Sequence, residues 1–595
     1  MFFLHALATK RKELEQAGDI EALMNLPIVT VFEKSASPGG VWRSDRNRDN
    51  NSNTNNAEEK PGDTDESTNM YEGLWINGHK DGMEFFDYTF EDHFKTPQPV
   101  YLPRQQILEY IMARLSKHGD IFQDVLFNTE VQSVKYDDAL EKFVIVSRDK
   151  EGMISTRHFD KCIWASGTEG LPNMPEEVMN KLGDFKGQIV HSSAMDKLVG
   201  SSSDDGKNNN AVEGKRILLI GDAYSAEDLA LQCVKLGAEK IYFTSRHLHG
   251  TASYMGSWPD DKVEMLAFAE VAGVKDDGTG KTIVFDALQK EYPVSDVEDV
   301  SIIIFCTGYK PNMSFIDDKL QMLMKDEDQG TWGLNDYGEN ATATWRMKEN
   351  AFTFEREHIV PAEELESNSL FVVETLYRGL LISNPNMMYI YHLTSYPILE
   401  TDVLAWLCLS YITGETPIPS KEKMLEANNR DLLESMQYID SRYSMDEEYK
   451  KACDAVPIDP WYYHHLAPDK FEEYVNDSMS VELRVLAQTM KDANYPVSFG
   501  DMDGLNTLGA ELLRMAVTNE KEKLLMRGWD DNTKKWKTFR DSDPSPFRSL
   551  MTGMSSIPLE GKWLEIDDDG NSNVCNKCDD DTKKCDSDPS LFALS

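Results

Sequence analysis

The segment from Arg216 to Ser245, "RILLIGDAYSAEDLALQCVKLGAEKIYFTS", constrains the fold more than any other part of the chain. "RILLI" is a short unbroken apolar run of the kind that forms a strand covered on both faces. "SAEDLALQCVKLG" (225–237) then spaces its apolar residues at helical intervals, and "KIYFTS" (240–245) supplies a second strand. Strand, helix, strand in that order is a βαβ unit, which puts the two strands parallel. Between the first strand and the helix lies Gly221-Asp222-Ala223-Tyr224-Ser225-Ala226. Against the dinucleotide pattern G-x-G-x-x-G the first glycine is present, and alanines hold the second and third places. The helix N-terminus still offers free N–H groups to a pyrophosphate. Twenty residues past Ala226, the second strand runs into Thr244, Ser245 and Arg246 where an NAD site would carry an acid. Hydroxyls and a guanidinium there suit a 2′-phosphate, hence NADPH.

A second such strand stands near the beginning. "IVTVFEK" (28–34) ends on Glu33, placed to take the hydroxyls of a ribose, with Lys34 beside it. The glycine cluster that should lie about 20 residues upstream of such an acid is not found in residues 1–27. Two further strands are expected at 159–167 and 300–309, each closing on a small residue and glycine, with helices over 402–412, 421–440 and 505–525. The expected class is α/β with two Rossmann-like dinucleotide-binding domains. Two polar, Asn-rich segments, 44–70 and 198–214, and an acidic tail after 566 bury little and are expected to be disordered.

Composition narrows the class of partner. Over 595 residues the formal charge is −42, which argues against nucleic acid and anionic membranes, since both require a basic face. The eight cysteines do not form a disulfide framework. Cys162, Cys233, Cys306, Cys408 and Cys453 sit mostly in apolar runs, as buried thiols do. Cys575, Cys578 and Cys585 are one ligand short of a structural zinc site, so no metal is expected. No signal peptide or transmembrane run is read, and a cytoplasmic location is the expectation.

Several motifs together resemble the flavin-containing monooxygenases. "FEKSASPGGVW" (32–42) is similar to that family's F-E-K…G-G-x-W signature. "FKGQIVH" (185–191) resembles its F-x-G-x-x-x-H, and "FCTGYKP" (305–311) its A-T-G-Y. Residues 71–94, 221–238 and 539–554 resemble the trimethylamine monooxygenase branch. The resemblance implies FAD in the first fold and NADPH in the second. The division expected is 1–168 and 305–566 for the FAD-binding part with a C-terminal helical region, and 169–304 for an inserted NADPH-binding domain. A tail, 567–595, follows. Members of the family open with a strand and G-x-G-x-x-G before a helix like 2–18. The expectation is therefore that the first strand and FAD phosphate loop are missing here, which would weaken FAD binding.

The activity implied is oxygenation of a soft nucleophile through a C4a-hydroperoxyflavin, with trimethylamine or another small tertiary amine first among substrates. S-oxygenation, Baeyer–Villiger insertion, or a non-catalytic NADPH-binding remnant are the alternatives. By the same resemblance Asn77 and Tyr224 are the catalytic candidates. Glu33, Lys34, Gly39, Gly40, Val41, Trp42, Trp75, Asn77 and Val131 would serve the flavin side. Gly221, Tyr224, Ser225, Ala226, Ser245, Arg246, Thr307 and Gly308 complete the cofactor contacts. Tyr391 and Tyr396 would wall the substrate as a cation-tolerant aromatic face. His191 is an interdomain candidate, and Met195 stands where the family motif prefers an aromatic. A homodimer is the oligomer considered.

Overall fold

The computed structural model describes residues 1–43, 69–95, 102–199, 210–245, 262–322, 375–392, 397–428 and 489–495, apart from short breaks, with a few short strands beyond them. Its helices are α1 (Phe2–Ala17), α2 (Ile20–Met24), α3 (Phe90–Phe94), α4 (Arg104–Leu115), α5 (Glu176–Lys181), α6 (Met195–Val199), α7 (Tyr224–Lys235) and α8 (Pro397–Thr413).

The βαβ segment forms as its pattern predicts. Strands β9 (Arg216–Ile220) and β10 (Lys240–Ser245) are parallel neighbours flanking α7 in sequence. They belong to a five-stranded sheet ordered β11-β10-β9-β14-β8, with β8 Gln188–His191, β11 Val263–Ala267 and β14 Val300–Phe305. Every pairing in it is parallel. Alternate residues of β9 divide between two cores, as a strand's period of two requires. Ile217 and Leu219 pack with Leu229, Ala230 and Cys233 of α7. Leu218 and Ile220 pack on the opposite face with the antiparallel hairpin β12 (Ala269–Val274) and β13 (Ile283–Ala287). The chain builds outward from β9 through β10 to β11, then returns to the other side of β9 with β14. That reversal is a topological switch point, where open α/β sheets leave a crevice at the strand C-termini.

The other unit is assembled from segments on both sides of this sheet in sequence. β1 (Val31–Phe32) pairs in parallel with β2 (Val125–Leu126). β3 (Thr129–Asp137), β4 (Lys142–Asp149) and β5 (Ile154–Phe159) make an antiparallel sheet. β6 (Cys162–Trp164) pairs in parallel with Met387–Tyr389. Its core joins Phe3, Ala6 and Leu7 of α1 to Trp164, Tyr389 and the buried length of α8. From Val403 to Leu409 α8 is apolar on every side, as a helix buried all round requires, while Glu400 and Asp402 are buried charges in its first turns. Among the described residues no helix is long and apolar enough to cross a membrane. The fold is thus α/β with two Rossmann-like units, one inserted in the other.

Several boundaries differ from the expectation. The strand expected at 159–167 is two elements, because Asp160 and Lys161 turn the chain between sheets. Asp160 pairs with Lys142 at 2.8 Å, and Lys161 donates to Asn386 at 3.0 Å. The strand expected at 300–309 ends at Phe305, and Tyr309–Lys310 (β15) pairs instead with Leu171–Pro172 (β7). β1 keeps only two residues of the run 28–33, those that have a ladder partner in β2. The helix over 402–412 extends to Pro397–Thr413. Helix 421–440 is described only to 428, and 505–525 lies outside the described residues. The polar segment 198–214 is folded at both edges: Leu198 and Val212 are fully buried, and Asn210 donates to Leu236 O at 2.7 Å.

Candidate functional site

The turn after β9 requires its glycine. Gly221 has φ +107°, and a Cβ there would lie 2.6 Å from the carbonyl oxygen of Cys306, just past the end of β14. Cys306 N–H in turn donates to Ile220 O at 2.8 Å, so the two strand ends are tied at the switch point. α7 begins three residues later, so its N-terminus, with free N–H groups and the positive dipole end, follows this turn. Ser225 is half-buried and Ala226 fully buried, so a methyl group fits the close approach of helix and strand. Thr244 is buried near the end of β10 and Ser245 closes it. The side chains of Tyr224 and Ser245 lie outside the described residues, as does Arg246.

On the flavin side, Glu33 follows β1 and its Oε1 accepts from Ser35 N–H at 2.8 Å. The start of α1 is near, since the Glu33 carboxylate partly offsets the burial that lowers the Met1 amine to about 6. Lys34 points to Glu130 at 3.4 Å from an exposed position. Gly39 (φ +125°) leaves no room for a side chain: a Cβ would sit 2.8 Å from Arg43 Cγ and 2.9 Å from Leu108 Cδ1. Gly40, Val41 and Trp42 form one 3-10 turn. Trp42 packs against the cluster that includes Ile107 and Ile111 of α4, and Val131 against the cluster beneath α8. Trp75 and Asn77 lie outside the described residues, between the placed Leu74 and Ile76 and the next described residue, Met83.

The two units are joined by crossovers that bond to each other. Asn173 N–H donates to Gly308 O at 3.0 Å, and Asn173 Nδ2 to Thr307 O at 3.1 Å. The Thr307 hydroxyl returns a bond to Asn173 O. His191, 4 % exposed at the end of β8, lies with Nε2 3.0 Å from Gly308 O. Its Nδ1 accepts from Ser193 N–H at 3.2 Å, which leaves the proton on Nε2 and makes that nitrogen the donor to the carbonyl. Burial lowers the His191 pKa against the opposing pull of that carbonyl, keeping the ring neutral. The motif F-x-G-x-x-x-H therefore ends in a clamp on the T-G-Y turn. Its glycine is explained too, since a Cβ on Gly187 would strike the Phe185 ring and Ser301 O.

Met195 is 1 % exposed in the core under α7, so an apolar side chain of this size fills the position without an aromatic ring. Tyr391 is buried in the core cluster with α8, where burial raises its phenol pKa; Tyr396 lies outside the described residues. Cys233 and Cys408 are buried thiols pushed up to about 12, as inert core cysteines are; Cys162, half-buried against the same core as Cys408, is raised by burial as well. Among the described residues no group of three or more His, Cys, Asp or Glu could hold a metal ion. Sequence reasoning missed Asn69, Tyr71, Arg104, Asn173 and Asp228, whose bonds cross between distant segments and leave no local pattern.

Residues 25–261 match the family FMO-like, described as flavin-binding monooxygenase-like. The chain is 34% identical over 298 residues to a trimethylamine monooxygenase of Roseovarius nubinhibens, a stretch covering 50% of this chain and 58% of that relative. It is 25% identical over 548 residues to a trimethylamine monooxygenase of Methylocella silvestris, covering 91% and 90%. The fold matches the crystal structure of Tmm from Pelagibacter sp. strain HTCC7211 with a TM-score of 0.55 and 21% identity, over 87% of this chain and 88% of that one. These matches support the resemblance to the flavin-containing monooxygenases, carried by residues 25–261. The relatives it resembles here are trimethylamine monooxygenases, and the chain spans 58% of the length of the Roseovarius relative.

Proposed function

We propose that the protein is an FAD- and NADPH-dependent monooxygenase that converts a small tertiary amine, trimethylamine first, to its N-oxide. The observation that carries this reading is the pair of glycine-dependent turns, Gly39–Gly40 and Gly221, each following a parallel strand of its own unit. Each is a cradle that a Cβ would fill or strain, which fits the close approach of a dinucleotide. Bound flavin and nicotinamide supply electron transfer and oxygen activation.

The chain's own residues bind, orient and exclude water. Glu33 is placed for ribose hydroxyls, and the N-terminus of α1 for phosphate. Gly39 and Gly40 would let the backbone approach the flavin, with Trp42 nearby in the cluster with α4. Gly221 and the N-terminus of α7 take the second pyrophosphate, and Ser245 and Arg246 the 2′-phosphate. Asn77 contributes an amide donor that does not titrate, and Tyr224 a hydroxyl at the head of α7. Thr307, Gly308 and His191 keep the crossovers in register. Tyr391 and Tyr396 are the proposed amine wall, although the core position of Tyr391 favours support from behind over direct contact. The acidic surface fits a small soluble substrate better than a polyanion.

The test is flavin absorbance of the purified chain, followed by NADPH oxidation with trimethylamine, a dialkyl sulfide and a cyclic ketone, each with product detection. N-oxide formed in step with NADPH consumed supports the reading. Sulfoxide or ester as the preferred product moves the assignment to another nucleophile. NADPH binding without flavin leaves only the remnant.

A further inference from the structure

Asn69, Met70, Tyr71, Leu74 and Ile76 form a strap that touches both units, and bonds from three directions fix it. Asn69 Nδ2 donates to Glu169 O and, at 3.2 Å, to Gly170 O on the outgoing crossover. Tyr309 OH, on the returning crossover, donates to Asn69 O at 2.7 Å. Tyr71, 2 % exposed, packs in the core under α7 and donates its hydroxyl to Asp228 Oδ2 at 2.7 Å. Asp228 is itself buried one turn into α7 and also accepts from Gln232 at 3.1 Å. Leu74 packs against the same core, whereas Ile76 belongs to the cluster with α4.

Arg104, the first residue of α4 and 3 % exposed, holds this strap from the flavin side. One guanidinium nitrogen donates to both Arg43 O at 2.7 Å and Met70 O at 2.8 Å. Its backbone N–H donates to Leu74 O at 3.0 Å. Arg43 ends the Gly40–Trp42 turn, so the guanidinium bolts that turn to the strap. A continuous path of bonds thus runs from the exposed Gly40 through Arg43, Arg104, Met70 and Tyr71 to the buried Asp228 on the helix that follows Gly221. Burying a guanidinium is costly unless its donors are met, and an apolar residue would fill the space more cheaply. Here the guanidinium fixes the distance between two carbonyls.

We propose that Arg104 and Tyr71 are positioning residues that act through the strap 69–76 to set the separation of the flavin-side turn Gly39–Trp42 from the nucleotide-side turn Gly221–Ser225. The proposal rests on the two-cofactor reading for its consequence, and on geometry alone for the coupling.

Hydrogen exchange on the full chain tests the coupling without cofactors. Arg104→Gln should raise exchange about threefold or more both in 69–76 and across the unit boundary in 224–235. In a Tyr71→Phe background the same change should still loosen 69–76 while its added effect on 224–235 disappears. Arg104→Lys, whose ammonium can donate to both carbonyls, should restore exchange to within about twofold of the parent. The idea is overturned if the effect of Arg104→Gln stops at the strap, or if α7 responds equally with and without the Tyr71 hydroxyl. Should Arg104→Gln fail to fold, Tyr71→Phe alone decides: 224–235 must loosen while α1 stays protected.

Anaerobic reduction by NADPH gives the functional arm. Tyr71→Phe should lower the limiting rate of flavin reduction about tenfold through misplacement, while the NADPH dissociation constant stays within about threefold. An unchanged rate, or rate and affinity falling together with stability, overturns it. A parent chain that takes up no flavin sinks the two-cofactor reading, and the exchange arm still decides the strap.

Discussion

Gly221→Ala is the sharpest test of how the nucleotide-side turn is built. At φ +107° an alanine is strained by about 1–2 kcal/mol on backbone grounds alone. The added methyl would also stand 2.6 Å from Cys306 O, a carbonyl held in place because its own residue's N–H bonds to Ile220 O at 2.8 Å. Relieving that contact means shifting one strand end against the other, an overpacking cost of about 1–3 kcal/mol. The sum is about 2–5 kcal/mol, of which roughly half is the clash. Gly308→Ala is the control, since its φ is +76° but a Cβ there meets nothing within 4 Å. Only the strain of about 1 kcal/mol should remain. A chain with two units is not expected to unfold in one step, so the assay is urea titration read by hydrogen exchange of β9 and β14. With a slope of about 2 kcal/mol per molar, Gly221→Ala should lower the midpoint by about 1–2.5 M and Gly308→Ala by about 0.5 M. Equal shifts for the two variants would refute the crowding at Cys306 and, with it, the reason for a glycine at that place.

Two other outcomes follow from buried ionisable groups. His5 is 2 % exposed, has neither ring nitrogen bonded among the described residues, and faces Arg114, Lys117 and His118. Burial first, then those positive neighbours, holds its pKa down to about 2. The unfolded chain therefore takes the proton first: stability is full above about pH 6.5 and falls as the pH drops below it, by about 1.4 kcal/mol per unit. Between pH 6.5 and 5 the parent should lose about 2 kcal/mol more than His5→Leu in denaturant titrations, and parallel curves would dismiss the assignment. Asp402 is fully buried and takes both guanidinium nitrogens of Arg114, at 2.9 and 2.8 Å, plus Tyr495 OH at 2.6 Å. Asp402→Ala should cost about 3–5 kcal/mol by leaving the buried Arg114 with Asp87, 2.8 Å from its Nε, as its remaining carboxylate, and Asp402→Asn about 1–3. A loss below about 1 kcal/mol for the alanine variant would mean that the pair does not hold α4 to α8.

What the sequence disclosed was local. The βαβ unit was readable at nearly the right residues because "RILLI" and "KIYFTS" are covered on both faces and α7 carries its apolar stripe within one segment. Gly221 and Gly187 were legible as motif glycines, and the structure adds what each would strike. β1 could not be bounded from its own residues, because its length is set by the partner strand β2 about 90 residues away. Cys162–Trp164 merged with β5 in the sequence because the turn at Asp160–Lys161 is held by Lys142 and Asn386, neither of them nearby. The same holds for the site. Glu33 and the Gly39–Gly40 turn announce themselves, while Arg104 looks like any arginine at a helix start and is decided by carbonyls at positions 43 and 70. Tyr71 read as part of a family-like string gave no hint that its hydroxyl reaches α7.

The bond pair from Arg104 to Arg43 O and Met70 O also has a polymer consequence. It brings the two ends of the stretch 44–68 together, beside Asn69, at a point fixed by the folded core. Closure entropy then grows only with the logarithm of what lies between, about 0.6 kcal/mol for each doubling of length. The frame therefore asks little of how many residues are threaded between Arg43 and Asn69. A reporter peptide or a short turn placed there should leave the surrounding fold in register, and length variation among natural relatives is expected to collect at this gate sooner than within α4.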